Sequence, residues 1–341
     1  MSLQELETNA RTLVSPGKGI LAADESTGTI QKRLAGVGVD STEERRRTYR
    51  HLLFSTPGLG EFVSGMICYD ETVRQSTASG TPFPQAMREL GIMPGIKVDT
   101  GAKDLAGFPG ETVTEGLDGL RERIAEYYAL GCRFAKWRAV ITIADGIPTD
   151  GCIEANAHAL ARYARLCQEG GLVPIVEPEV LMDGDHDIET CYTVTERAHR
   201  AVFAQLRAQG VHLEGILLKP NMVVAGKGCA KQASVDEVAE ATLRELYRNV
   251  PAAVPGIVFL SGGQSDELAT AHLDAMNRKA PEGGAHPWAM SFSYGRALQQ
   301  PAIAAWAGDD AKIGDAQAKL LHRAKMNSLA AKGAYEASME G

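Results

Sequence analysis

Lys136 and Lys219 each sit in a run too apolar to hold an unpaired charge cheaply: FAKWR at 134–138 and GILLKP at 215–220. Ordinary ion pairs with nearby acids would account for both. The alternative is an amine nucleophile. A free lysine has a pKa of about 10.4, so roughly a few in ten thousand are uncharged at neutral pH, and burial or a neighbouring cation pushes that value down. Lys136 would be that cation for Lys219, with Glu177, Glu179 and Asp24 balancing the pair. A neutral amine adds to a ketone and, after loss of water, gives an iminium. The iminium draws electrons, so the carbon–carbon bond two atoms away can break. One carboxylate would serve the dehydration, and another would take the proton from the hydroxyl beyond the breaking bond.

The two-residue period of a strand decides which of these groups can meet. Lys136 and Arg138 share a face, with Trp137 opposite; Glu177 and Glu179 share one with Ile175; Lys219 lies on the face of Leu217 and Gly215. Gly215 would leave room inside a closed sheet, and Pro220 biases Lys219 toward an extended backbone. Pro174 and Pro178 leave the extent of the run at 172–180 open, because proline cannot donate to a ladder.

Two candidate anion handles follow later strands. SGGQS (261–265) and SYGR (293–296) place Ser261, Gly262 and Gly295 in turns ahead of helices, where free N–H groups bind anions, and Arg296 adds a bidentate donor. Gly-rich turns are also common without a ligand. Near the first strand, DESTGTIQKR gathers Ser26, Thr29, Lys32 and Arg33 at a helix start, and Lys97 joins them. A helix cap with a solvated basic face fits the same residues.

Strand-like and helix-like runs alternate to position these groups. Strands are read at 19–24, 62–69, 95–99, 133–140, 172–180, 214–220, 256–261 and 288–293, as short apolar runs buried on both faces. Leu160, Tyr163, Ala164 and Cys167 recur at helical spacing before Gly170 and Gly171. Leu117, Leu120, Ile124 and Tyr127 do so before Gly131, and Val235, Val238, Thr242 and Tyr247 give a weaker stripe. The pattern predicts an α/β fold: a single-domain (β/α)8 TIM barrel over 1–341, with a C-terminal helix and short tail at about 315–341. An open doubly wound sheet is the alternative, though no GxGxxG follows the first strand. Asp24, Lys97, Lys136, Glu177, Lys219, Ser261 and Ser293 are read as strand ends, which converge on one face of a barrel. Any one of them alone reads as a strand end meeting solvent.

With 44% hydrophobic and 23% charged residues the chain reads as globular. Its net charge of -8 argues against nucleic acid or anionic membrane as a general partner. No run of about 18 apolar residues marks a membrane span. The N-terminus has neither the apolar core of a secretory signal nor the Arg-rich character of a transit peptide, so the cytoplasm is the expected location. The six cysteines form no CxxC pair and read as reduced thiols.

GILAADEST, GIKVD, FAKWR, IVEPE, LLKPN, FLSGGQS and FSYGRAL, in that order, resemble the class I fructose-bisphosphate aldolases. The resemblance runs from about residue 12 to about residue 333. It implies a (β/α)8 barrel, usually a homotetramer, with no metal or other cofactor. The implied activity is reversible cleavage of fructose 1,6-bisphosphate to dihydroxyacetone phosphate and glyceraldehyde 3-phosphate. Lys219 is then the Schiff-base lysine, Glu177 the acid–base group of the carbinolamine, and Asp24 the contact to the C4 hydroxyl. Lys136 and Glu179 tune the charge around the lysine. Ser261, Gly262, Gly295 and Arg296 resemble the 1-phosphate site. Ser26, Thr29, Lys97 and Arg138 resemble contacts toward the 6-phosphate, and Arg33 is placed near a phosphate. Thr29 stands where the family more often has serine, and keeps the hydroxyl. Many members carry a tail ending in a tyrosine that helps proton exchange at the enamine. This chain ends in AYEASMEG, with Tyr335 no obvious substitute, which leaves its preference for bisphosphate over monophosphate open.

Three other readings stand beside this one. A Schiff-base aldolase for a singly phosphorylated sugar is opposed by two separate basic clusters. An inactive barrel acting as a scaffold is expected to have lost a site lysine or carboxylate, and none is lost. A metal-dependent aldolase would need more than DGDHD (183–187), which sets acids around His186 without a His/Cys set at ligand spacing and reads as a surface loop.

Overall fold

A computed structural model, describing residues 2–281 and 284–341, closes eight parallel strands into a barrel. The strands are β1 (Gly19–Ala23), β2 (Val63–Cys68), β3 (Met93–Lys97), β4 (Phe134–Ile141), β5 (Val173–Val180), β6 (Leu217–Leu218), β7 (Gly256–Phe259) and β8 (Ala289–Tyr294). Each pairs with its sequence neighbours, and β1 pairs with β8 (Ile20 opposite Ser293), so the sheet has no edge. The fold is therefore the expected (β/α)8 barrel and not an open sheet.

Strand parity sorts the apolar residues into two layers. Ile20, Ala22, Ile67, Phe134, Val173, Ile175, Leu217 and Val258 fill the lumen, packed on Leu6, Ala10 and Leu13 of the helix Leu3–Leu13, which closes the N-terminal mouth. Trp137, Val176, Leu218 and Phe259 point outward to the helices. The Phe134 ring occupies the space that side chains at Gly65 and Gly95 would need: a Cβ on Gly95 would come within 2.2 Å of it. We expect Phe134→Ala to empty that space and cost about 3–5 kcal/mol in urea unfolding. A loss below about 1 kcal/mol would mean that the ring does not support the lumen.

Several local expectations need correction. β6 is only two residues long, and Gly215 lies in a 3-10 turn (Leu213–Gly215). A Cβ there would stand 3.3 Å from Leu6 Cβ, so Gly215 makes room for the plug helix below the lumen. Pro174 and Pro178 do sit inside β5. The odd-numbered amides of β5 face β4, since Val173 and Leu181 N–H donate to Arg133 and Ile141. The even-numbered positions face β6, whose shortness leaves the two prolines no ladder to break. Lys136 and Glu177 are mid-strand, because β4 and β5 extend one inward-facing layer further, to Arg138 and Glu179.

Among the helices, the stripe of Asp150–Glu169 is fully buried, and Gly131 ends Leu120–Leu130 in a left-handed conformation. Leu117 precedes that helix. On Val235–Asn249, Val238 and Thr242 are buried, but Tyr247 is 45% exposed and packs on Trp288. A hairpin not anticipated from the sequence (Gly101–Asp104 with Thr112–Glu115) leans on β4, where Thr114 Oγ1 donates to Arg138 O at 2.7 Å. The last long helix is Ile313–Ala330. The tail folds back on it: Tyr335 OH donates to Glu340 at 2.9 Å, and Arg323 pairs with Glu340. Among the described residues no helix is long and apolar enough to cross a membrane.

Candidate active site

At the C-terminal mouth, where barrel strands present their ends, a cavity of about 360 Å³ is lined by all five residues read as catalytic and all nine read as substrate-binding. Lys32 is not among them; it is exposed on the outer side of its helix.

Four strands supply the charged floor. Asp24 follows β1, Lys136 and Glu177 face inward from β4 and β5, and Lys219 follows β6, its N–H continuing the ladder to Val176 O at 2.8 Å. Lys219 Nζ lies 3.1 Å from Glu177 Oε1 and is 4% exposed. Lys136 Nζ lies 2.7 Å from Asp24 Oδ2 and 3.4 Å from Glu177 Oε2. Glu177 thus bridges the two lysines, one to each oxygen. Burial pushes the Asp24 carboxyl up, but Lys136, Lys219 and Lys97 outweigh it and hold Asp24 well below the usual carboxylate range. The same contest, with Lys136 and Lys219 leading, lowers Glu177. Burial alone would lower the Lys136 ammonium; Asp24 and Glu177 reverse that and keep it charged. Lys219 therefore has a fixed cation for a neighbour and a carboxylate within proton-transfer reach. Glu177 Oε2 and Ser293 Oγ are buried and make no hydrogen bond among the described residues, so the floor offers an acceptor and a hydroxyl to an incoming molecule.

One wall carries Ser26, Thr29, Lys97 and Arg138. Ser26 is the N-cap of Thr27–Ala35 but makes no side-chain cap bond. Its hydroxyl instead meets Thr29 Oγ1 at 3.2 Å, leaving first-turn N–H groups for an anion. Lys97 Nζ is 3.3 Å from Asp99 Oδ1, and Arg138 pairs with Glu179. Glu179 accordingly aims Arg138.

The opposite wall is built from two turns. Gly262 (φ +59°) and Gly263 (φ +92°) form a left-handed pair that only glycine adopts readily. The turn closes by Gln264 N–H donating to Ser261 O at 3.0 Å. The Gln264 side chain donates to the same carbonyl at 3.1 Å, and its Oε1 accepts from His272 Nδ1 at 2.5 Å. Burial pushes the His272 imidazole down to about 4, so this brace stays neutral. Gly295 caps the helix Arg296–Trp306. Arg33 stands on this side, with its NH2 3.9 Å from where a Cβ on Gly295 would lie.

Some contributors escaped the sequence reading. Buried Glu25 pairs with Arg33, binds Arg50 at 2.6 Å and accepts from Gln299 at 2.9 Å, so it fixes Arg33. The one available signal was its position eight residues before Arg33, two helical turns on. Asp99 and the hairpin residues Gly101 and Ala102 also line the cavity. In DGDHD, Asp187 caps Ile188–Ala208 and Asp183 pairs with Lys227. No group of three or more metal-ligating side chains is assembled among the described residues.

Comparison with known proteins agrees with this geometry. Residues 5–341 match the family model described as fructose-bisphosphate aldolase class-I. The chain is 60% identical to a probable fructose-bisphosphate aldolase class 1 of Xanthomonas campestris, over 98% of this chain and 100% of that one. It is 53% identical to fructose-bisphosphate aldolase 4, cytosolic, of Arabidopsis thaliana, over 97% and 84% of the two chains. Its fold superposes on the Plasmodium falciparum fructose-bisphosphate aldolase, solved with TRAP and a small-molecule inhibitor, with a TM-score of 0.95 at 50% identity, covering 98% and 95%. The chain belongs to the class I fructose-bisphosphate aldolase family, whose members are lyases.

Proposed function

We propose that this chain cleaves fructose 1,6-bisphosphate reversibly to dihydroxyacetone phosphate and glyceraldehyde 3-phosphate through a Schiff base on Lys219. The observation that carries this reading is the buried Lys219 amine 3.1 Å from the Glu177 carboxylate, between two anion-binding walls. The amine passes a proton to Glu177 and adds to the C2 ketone. Losing the ammonium charge removes one of the cations that hold Glu177 low, so its carboxyl rises and keeps the proton it has taken until the carbinolamine hydroxyl accepts it and leaves as water. The iminium then restores the positive charge. Asp24, kept ionised by Lys136, takes the C4 hydroxyl proton. The C3–C4 electron pair moves into the iminium, leaving an enamine on Lys219 and free glyceraldehyde 3-phosphate. Protonation at C3 and hydrolysis release dihydroxyacetone phosphate and the amine.

Ser261, Gly262, Gly295 and Arg296, with Arg33, take the 1-phosphate; Ser26, Thr29, Lys97 and Arg138 take the 6-phosphate. Because both ends have a built cation site, kcat/KM for the bisphosphate should exceed that for fructose 1-phosphate by about tenfold or more. A ratio near one would favour the aldolase for a singly phosphorylated sugar.

We further propose that the 341 residues act as one domain in a cytoplasmic homotetramer. The tetramer rests on the family resemblance, and the location on plant relatives named cytosolic or cytoplasmic. Sedimentation equilibrium, giving four chains or fewer, decides the assembly. The acidic net charge argues against nucleic acid or anionic membrane as a partner, while the phosphorylated sugar rests on the family and on basic groups gathered locally in the cavity.

A further inference from the structure

We propose that Lys227 is an additional phosphate-binding residue, a cation that sets affinity for the 1-phosphate end and rests on Asp183 until that phosphate arrives. The proposal depends on reading Ser261, Gly262, Gly295 and Arg296 as the 1-phosphate site.

The position of Gly263 carries the argument. A Cβ there would lie 2.9 Å from Lys227 Nζ and 3.0 Å from Arg296 NH2. The two cationic nitrogens are therefore no farther apart than those two lengths laid end to end, and both overhang the left-handed turn. Gly262 and Gly263 N–H take no partner among the described residues, and neither does the Arg296 guanidinium. Two cations thus flank a turn with two free N–H groups, and the carboxylate that Lys227 meets is Asp183, 3.0 Å from its Nζ. A phosphate dianion balances such a group better than one carboxylate does.

The backbone is built to hold the lysine there. Gly226 N–H donates to His186 O at 2.8 Å, Lys227 N–H to Met182 O at 2.8 Å, and Gly228 N–H to Gly184 O at 2.7 Å. A Cβ on Gly226 would come within 2.5 Å of Gly184 O, so the clasp requires glycine. The DGDHD loop, with no other role in the site, thus anchors an arm that reaches the phosphate turn. The Lys227–Asp183 pair is half-exposed and weakly held, so exchanging Asp183 for phosphate costs little.

The test is steady-state kinetics in the condensation direction. In Lys227→Met, KM for dihydroxyacetone phosphate should rise about fivefold to tenfold at low ionic strength, while KM for glyceraldehyde 3-phosphate changes less than about twofold. Added salt should narrow the gap, because the cation is partly exposed. In Asp183→Asn, KM for dihydroxyacetone phosphate should hold or fall, since only the competing carboxylate is lost. The proposal is overturned if Lys227→Met leaves that KM within about twofold of wild type, raises both KM values alike as a loosened loop would, or is reproduced by Asp183→Asn. Borohydride trapping of dihydroxyacetone phosphate on Lys219 in wild type separates the two claims. An adduct there upholds the reading of the site whatever Lys227 does, and its absence rejects that reading independently of the Lys227 kinetics.

Discussion

Lys219→Met lowers kcat for bisphosphate cleavage by about 10,000-fold or more, because no other amine can form the covalent intermediate. Lys136 is the nearest rival. It stays bound to Asp24 at 2.7 Å, and its two carboxylate neighbours keep it protonated, so it cannot substitute as nucleophile. The fold should tolerate the change. Glu177 loses one lysine but keeps the other. A variant that retained even about a hundredth of wild-type turnover would place the chemistry on another residue.

The second large effect is expected at Lys136→Met, and it should appear in stability as well as rate. Removing this cation, the leading one on both acids, leaves Asp24 and Glu177 near each other with Lys219, Lys97 and Arg138 to balance them. Breaking a buried pair in this way costs about 3–5 kcal/mol. The pH dependence follows from the direction of each shift. In wild type Asp24 titrates below its unfolded value of about 3.9, so its contribution is present above that pH and lost as pH falls through the lower folded value. In the variant, burial acts against fewer cations and pushes both carboxyls up from their wild-type positions. The stability that the lowered carboxyls give wild type is present at higher pH and absent in acid, so its loss is felt as pH rises. Denaturant unfolding at pH 5 and pH 8 should show the variant's deficit growing with pH; a deficit that is constant or shrinks would mean that Lys136 is not the charge holding these acids ionised. Activity should fall by about 1,000-fold, since Asp24 no longer stays a ready base.

Which groups meet was legible from strand parity, since Leu217 with Lys219, Ile175 with Glu177, and Phe134 with Lys136 follow from a period of two once one lumen-facing residue is known. Where each group sits along its strand was not. The runs read at 133–140 and 172–180 already contain Arg138 and Glu179, but the pairing of these two, which carries an inward-facing layer past Lys136 and Glu177, has no signature in either strand alone. The shortness of β6 and the prolines that β5 presents to it go together, again a property of the pair. Gly215 looked like lumen space and proved to be space for Leu6, more than two hundred residues earlier in the chain. Glu25 was overlooked for a related reason: its partners Arg33, Arg50 and Gln299 come from three helices, so only the folded chain assembles its role. The motifs of the family carried the phosphate turns, but the clasp that holds Lys227 depends on glycines that merely allow two loops to touch.

The central claim, one buried amine forming a Schiff base, is tested most directly by adding borohydride to the protein with dihydroxyacetone phosphate and mapping the product by peptide mass spectrometry. One reduced triose phosphate should be found per chain, attached at Lys219, and none in Lys219→Met. An adduct at Lys136 or elsewhere, or turnover that proceeds with no trapped product, would contradict it.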